Sequence, residues 1–233
     1  MMSNNDIAKK IEALRVNRDF CTLPENIIQE LAAKTKRIFF KKGEFIFHAG
    51  DVTDYCYFVE SGCVLLSKNS PTGKSITFLL LEKGASINAV TCFKPCPTYF
   101  SARLLKNTMV LSIPRKDFTE WILKSPELTN NVICTLGELL DSAYHRMLDL
   151  VNEPAEQRII NILYIISDRL GATLSLTNND LADLVGTSRE TAARVIVKLQ
   201  NSGILSKSRG QITILDVSQL KRLSSSPLFL LNP

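Results

Sequence analysis

The chain has 233 residues, enough for two ordinary domains with cores of their own, and its 45% hydrophobic and 22% charged residues give the balance of a globular protein rather than a disordered one. No apolar run reaches the roughly 18 residues of a spanning helix, and residues 1–14 lack the apolar core of an export signal, so a cytoplasmic location with no membrane partner is expected. A net charge of +5 permits an anionic partner without requiring one.

Residues 1–36 read as helical: Ile7, Ile11 and Leu14 share one face, and Leu23-Pro24-Glu25 opens a second helix through Ile27, Ile28 and Leu31. From Ile38 onward short β-rich runs follow, at 45–47, 56–59, 63–67, 75–81 and 109–113. Glycines at 43, 50, 62, 73 and 84 separate them, and Pro71-Thr72-Gly73-Lys74 reads as a hairpin turn. This spacing predicts a small antiparallel barrel or jelly roll. After Pro114 the period becomes helical, first through Phe118 and Ile122, then past Ser125-Pro126 without a break to about Val151.

Along that last stretch Ile133, Leu136, Leu140, Ala143, Met147 and Leu150 recur at alternating spacings of three and four, the a/d pattern of a coiled-coil seam. A helix of about 25 residues runs some 37 Å, longer than a small barrel needs for its own cover, so the stripe is assigned to a homodimer interface over packing on its own barrel. Asn152-Glu153-Pro154 ends the pattern and marks a hinge. The chain is thus an α+β protein in three parts: residues 1–125 (N-terminal helices and antiparallel β-barrel), 126–153 (dimerisation helix and hinge) and 154–233 (a C-terminal domain).

The six cysteines, at 21, 56, 63, 92, 96 and 134, are expected to be mostly reduced thiols. Cys92 and Cys96 form a CxxxC pair, read as two ordinary thiols with a reversible disulfide or a metal as the alternatives. His48 is read as structural, and His145 as a solvated histidine or, less directly, a haem ligand. Two histidines 97 positions apart supply no cupin-type metal site, so an enzyme on the barrel is not expected.

The densest signal lies between Leu174 and Asp216. Thr177 caps a short helix over 178–185 with Leu181, Leu184 and Val185 inward, Gly186 supplies a turn, and Ser188 caps a second helix over 189–201 with Ala192, Val195, Ile196 and Leu199 inward. Two helices joined by a tight glycine turn make a helix-turn-helix, and Gly203 stops the second. Arg189, Glu190 and Arg194 then occupy the face that meets base edges in the major groove, where arginine bonds guanine and glutamate accepts from cytosine. A merely solvated Arg/Glu pair is the competing reading, which the preceding helix, the turn and both caps disfavour. Strand-like runs at 204–207 and 211–215 around Ser208-Arg209-Gly210 form a wing whose Lys207, Ser208 and Arg209 face phosphates. The candidate DNA-facing set is Thr177, Thr187, Ser188, Arg189, Glu190, Arg194, Lys207 and Arg209. Double-stranded DNA is the expected partner, read specifically rather than bound as by an architectural protein.

Barrel, long helix, hinge and winged helix-turn-helix together resemble the CRP/FNR family of bacterial transcription regulators over about residues 25–222. Gly186-Thr187-Ser188-Arg189-Glu190-Thr191-Ala192-Ala193-Arg194 is similar to the recognition helix of the cyclic-AMP receptor branch, and Phe47-His48-Ala49-Gly50-Asp51 and Tyr57-Phe58-Val59-Glu60-Ser61-Gly62 resemble the family's barrel turns. The resemblance implies a cyclic-nucleotide-binding-like jelly roll, a homodimer on a near-palindrome, RNA polymerase as a further partner, and an effector signal crossing the hinge. It implies half-sites of the TGTGA kind rather than the TTGAT of the FNR branch, which lacks the first arginine of this set. Activation or repression stays open.

The family's nucleotide pocket uses a Gly-Glu-Leu turn and an Arg-Ser or Arg-Ala pair. Here Asn88-Ala89-Val90 and Phe100-Ser101 stand in those places, with Arg103 nearby, and Ala143 and Tyr144 replace two hydroxyl residues on the helix, so cyclic AMP is not the expected effector. With Cys21 the lone cysteine of the N-terminus, no iron-sulfur cluster of the FNR type is expected either. Val90, Phe93, Tyr99, Phe100, Leu136, Leu139 and Tyr144 form the candidate effector pocket, suited to haem or a small apolar or aromatic molecule. A redox- or haem-dependent sensor and a cyclic-nucleotide-responsive regulator are the alternative functions, and a pocket filled by its own side chains is the alternative structure.

Overall fold

The structure is a computed structural model that describes residues 4–70, 75–88, 92–94 and 96–225, with the side chains of residues 4, 5, 145 and 146 outside that description. The hairpin turn at 71–74, Ala89, Val90 and the His145 side chain therefore lie outside the described residues. The chain divides into two compact units, one made of residues up to 68 together with 79–140, the other of 69–78 together with 141 onward.

In the first unit, α1 (Asn4–Arg15) and α2 (Glu25–Lys34) are joined by a tight segment that Arg15 holds closed, its guanidinium donating to the carbonyls of Cys21 and Leu23 and pairing with Glu25. Pro24 precedes the first turn of α2, where a missing N–H costs nothing. Seven strands follow: β1 (Lys36–Phe40), β2 (Phe45–Phe47), β3 (Tyr55–Ser61), β4 (Cys63–Asn69), β5 (Ser75–Glu82), β6 (Ser101–Leu104) and β7 (Thr108–Pro114). They form two antiparallel sheets, ordered β1-β7-β3 and β2-β6-β4-β5. Phe47, Val59, Val64, Leu66, Leu81, Ala102, Leu104 and Val110 from both sheets share one buried cluster. The expected barrel is therefore two sheets face to face, joined at one edge where the segment after β5 hydrogen-bonds to β3 through Val59 N–H to the Ala85 carbonyl and Ile87 N–H to the Tyr57 carbonyl. The sequence reading gave no strand at β1, whose apolar residues stand side by side, or at β6, which is only four residues long.

Gly62 turns β3 into β4 at φ +111°, and a Cβ there would sit 2.3 Å from Thr108 Oγ1, so this position admits no side chain. On the outer face of the first sheet, a second cluster gathers α1, α2, α3 (Arg115–Lys124) and the start of α4 (Pro126–Asn152). Its centre is Phe20, Phe58 and Phe118, three fully buried rings in edge-to-face contact at 4.9 to 6.0 Å.

The second unit takes in the C-terminal part of α4, then α5 (Ala155–Leu170) after Pro154, a helix the sequence reading did not single out although Ile159, Ile162, Leu163 and Ile166 form its buried stripe. A short strand β8 (Thr173–Leu174), helices α6 (Asn178–Val185) and α7 (Arg189–Asn201), the hairpin β9 (Leu205–Ser208) and β10 (Gln211–Ile214), and α8 (Val217–Leu223) complete it, the strands ordered β8-β10-β9.

Candidate DNA-reading surface and effector cavity

The helix-turn-helix is set by its caps. Thr177 Oγ1 accepts from the Asp180 backbone N–H at 3.1 Å while the Asp180 carboxylate accepts from the Thr177 N–H at 2.9 Å, a reciprocal box that fixes where α6 starts. Gly186 ends it in the left-handed conformation at φ +69°, and Ser188 Oγ accepts from the Thr191 N–H at 3.1 Å to start α7. Leu181, Leu184 and Val185 of α6 and Ala192, Val195, Ile196 and Leu199 of α7 are buried. The period that buries those residues leaves Glu190 and Arg194 exposed on the opposite face, and Arg189 is exposed at the first position of the helix. Hydrogen bonds from its own N–H and the Ser188 hydroxyl, aided by Arg189, hold the Glu190 carboxyl below its usual value, so it is an acceptor at neutral pH.

In the wing, the Lys207 ammonium donates to Asn178 Oδ1 at the start of α6, and burial followed by the like charge of Arg189 lowers its pKa. Arg209 stands exposed at the tip. Of the three residues expected to meet phosphates, Lys207 thus also braces the wing against the helix-turn-helix, while Ser208 and Arg209 are exposed to solvent. Thr177 and Ser188 serve as caps, and Thr187 sits half-buried in the turn.

Within the first unit lies a cavity of about 390 Å³. Phe47, Leu66 and Leu79 come from the second sheet, Ser86, Ile87 and Asn88 from the segment after β5, Lys94, Cys96, Pro97, Tyr99 and Phe100 from the segment before β6, and Thr135, Leu136 and Leu139 from α4. Four of the seven candidate pocket residues are thus brought together: Tyr99, Phe100, Leu136 and Leu139. Phe93 is 42% exposed and outside the lining, and Tyr144 points away on the exposed face of α4, which corrects both assignments. Arg103 does not line the cavity: Ala102 and Leu104 enter the intersheet core, so strand alternation turns Arg103 to the other face of β6.

The sequence reading missed what shapes the wall. Asp19, 1% exposed, accepts from the Ser86 hydroxyl and from the Thr135 hydroxyl, both at 2.7 Å, and so ties the segment after β5 to α4. No local signal marks it, because its partners lie 67 and 116 residues away. Cys92, expected as a free thiol or as the partner of Cys96, is instead bonded to Cys56 on β3, with Cα atoms 6.3 Å apart and within bridging range, while Cys96 is free and lines the cavity.

On α4 the exposed apolar stripe runs through Ile133, Leu140, Tyr144, Met147 and Val151. At about 100° per residue these five lie within roughly 40° of one direction, whereas Leu136 and Leu150 turn about 60° and 100° to one side. Leu136 belongs to the cavity, and Leu150 packs towards Gly186 within the second unit. Of the residues expected in the seam, Ile133, Leu140 and Met147 lie on this exposed stripe beside Tyr144 and Val151, and Ala143 is exposed on its flank.

Residues 37–125 match the family model for the cyclic nucleotide-binding domain, and residues 157–223 match that for the Crp-like helix-turn-helix domain. The chain belongs to the CRP/FNR family of transcription regulators. Its relatives in that family include the CRP-like cAMP-activated global transcriptional regulator of Mycobacterium tuberculosis, 25% identical across 82% of this chain and 91% of the relative. The cyclic AMP receptor protein of Thermus thermophilus is 28% identical across 86% and 93%. The transcriptional activator protein Anr of Pseudomonas protegens is 29% identical across 79% and 78%. Among solved structures, a CRP/FNR-family regulator from Thermus thermophilus superposes with a TM-score of 0.70 at 26% identity, over 82% of this chain and all of that one. A family member from Eubacterium rectale reaches 0.75 at 21% identity, over 91% and 100%. As a CRP/FNR regulator the chain carries a DNA-binding domain, and no helix among its described residues is long and apolar enough to cross a membrane.

Proposed function

We propose that this CRP/FNR regulator binds a near-palindromic DNA site as a homodimer through the exposed α4 stripe, recruits RNA polymerase, and is controlled by a small apolar effector in the cavity rather than by cyclic AMP. The observation that carries the DNA reading is the exposed trio Arg189, Glu190 and Arg194 at the capped start of α7. Against cyclic AMP stand the apolar lining of the cavity and the orientation of Arg103, which leave a buried phosphate without an arginine partner, a loss of about 3–5 kcal/mol where a buried ion pair loses one member. Fluorescence anisotropy at one fixed salt concentration tests the reading: a palindromic TGTGA-type duplex is expected to bind about 10³-fold or more above a random duplex, with cyclic AMP leaving both unchanged. Equal affinity for both duplexes, or saturable tightening by micromolar cyclic AMP, contradicts it.

One observation favours a redox-dependent variant of the same function. The Cys56–Cys92 bond joins β3 to the segment that walls the cavity. Reduction by an added dithiol, itself oxidised to a disulfide, splits that bond, each sulfur taking one electron and one proton, and leaves the segment held to β3 by hydrogen bonds alone. Under this reading the palindrome affinity changes on reduction in the parent chain and not in Cys56→Ser. Identical responses of the two chains remove it.

A further inference from the structure

The polar side chains deep in the cavity are already committed to the protein. Asn88 accepts from the Tyr57 N–H and donates to the Tyr55 carbonyl, both at 2.9 Å, and the hydroxyls of Ser86 and Thr135 each donate to Asp19. Neither hydroxyl hydrogen is then available to a buried phosphate, which disfavours nucleotides and favours an apolar body. The rim has the opposite character. Lys94 is exposed and lines the cavity, and its ammonium has no ion-pair partner among the described residues. The Lys68 ammonium lies 3.2 Å from the centre of the Tyr99 ring, which lines the same rim. No carboxylate is among the lining residues, so the entrance is positive over an apolar interior.

We propose that the cavity takes an amphiphilic carboxylate: an apolar chain or ring seated between the second sheet and α4, with its single anionic head at Lys94. This rests on reading the cavity as the effector site and names the ligand class. The cavity's 390 Å³ falls within the range of about 300–1,000 Å³ typical of small-molecule sites. The occupant's body would touch Leu136 and Leu139, so it bears directly on the helix that carries the exposed stripe.

The test is calorimetry on the full chain with decanoate and with decan-1-ol, which share an apolar body and differ in charge, both below their aggregation concentrations. Fluorescence anisotropy with the palindromic duplex is read on the same samples. Saturable binding of one decanoate per chain is expected, about tenfold tighter than the alcohol, as for a hydrogen bond to a charged group. That advantage should shrink as salt is raised. Lys94→Met, a change at an exposed rim position, should bring decanoate down to the level of the alcohol and leave the alcohol unaltered. Leu139→Trp, which fills the cavity, should abolish both, with its melting curve checking the fold. Equal affinities for the two probes, or a Lys94→Met chain that still prefers decanoate, overturn the ligand class. If decan-1-ol alone binds and changes DNA affinity, the effector site stands and the anionic head falls. If decanoate binds through Lys94 while DNA affinity stays constant, the ligand class stands and the effector role falls.

Discussion

An arginine that reads a base and one that meets a phosphate differ in what their loss does. Arg209 is exposed at the wing tip, where the proposed DNA-bound state would set it against phosphates. Arg209→Ala is expected to weaken specific and random duplexes alike and to lower the slope of log affinity against log salt by about one. A salt titration with both duplexes checks this. Lys207→Ala should have a smaller effect on the slope, because its ammonium is already engaged with Asn178. Thiols separate on similar grounds. Burial pushes Cys63 up to about 12, whereas Cys21 and Cys134 are exposed. At pH 8 a maleimide should label Cys21 and Cys134 quickly and leave Cys63 untouched until the chain unfolds, as peptide mapping would show. The raised value has a linkage consequence. Between the ordinary thiol value near 9 and about 12 the unfolded chain loses this proton while the folded chain keeps it, so stability falls as pH rises through that window.

At the scale of elements, the turn between α6 and α7 carries the tightest local requirement. An alanine at Gly186 must adopt φ +69° and bring its Cβ to 3.1 Å from Leu150 Cδ2, so Gly186→Ala is expected to lose about 1–2 kcal/mol, with a lower melting temperature. Ser188→Ala should cost about 1 kcal/mol through the lost cap. These features were legible in the sequence because caps, the glycine stop and the apolar period are local, acting within four residues. The cavity was half legible: Tyr99, Phe100, Leu136 and Leu139 announced themselves by apolar character near the long helix. Phe93 and Tyr144, equally apolar, point elsewhere, since the direction of a side chain depends on the turn or helix face that carries it. Asp19 and the Cys56–Cys92 bond join residues far apart in sequence, and nothing in the adjoining residues specifies such pairs. Asp19→Ala should destabilise the first unit by roughly 1–3 kcal/mol by leaving the Ser86 and Thr135 hydroxyls unpaired, as denaturant unfolding would measure.

At the scale of the whole molecule, the proposed homodimer rests on the exposed stripe on α4. Ile133, Leu140, Met147 and Val151 are between 51% and 83% exposed, a row of large apolar groups along one face that a second copy would cover. Leu140→Glu sets a charge at its centre and is expected to give monomers in sedimentation, with specific DNA affinity lost because one recognition helix alone reads half a palindrome. The apolar period of α4 was visible in the sequence, but not that Leu136 lines the cavity or that Leu150 lies against Gly186. The most direct measurement of sequence-specific regulation is a binding selection from random duplexes with the parent chain and Arg189→Ala. The parent is expected to recover palindromes with TGTGA-type half-sites, and Arg189→Ala to lose about 1–3 kcal/mol and its preference at one base pair in each half. Recovery of TTGAT-type sites by the parent, no enrichment of any palindrome, or an unchanged base preference in Arg189→Ala would contradict the account.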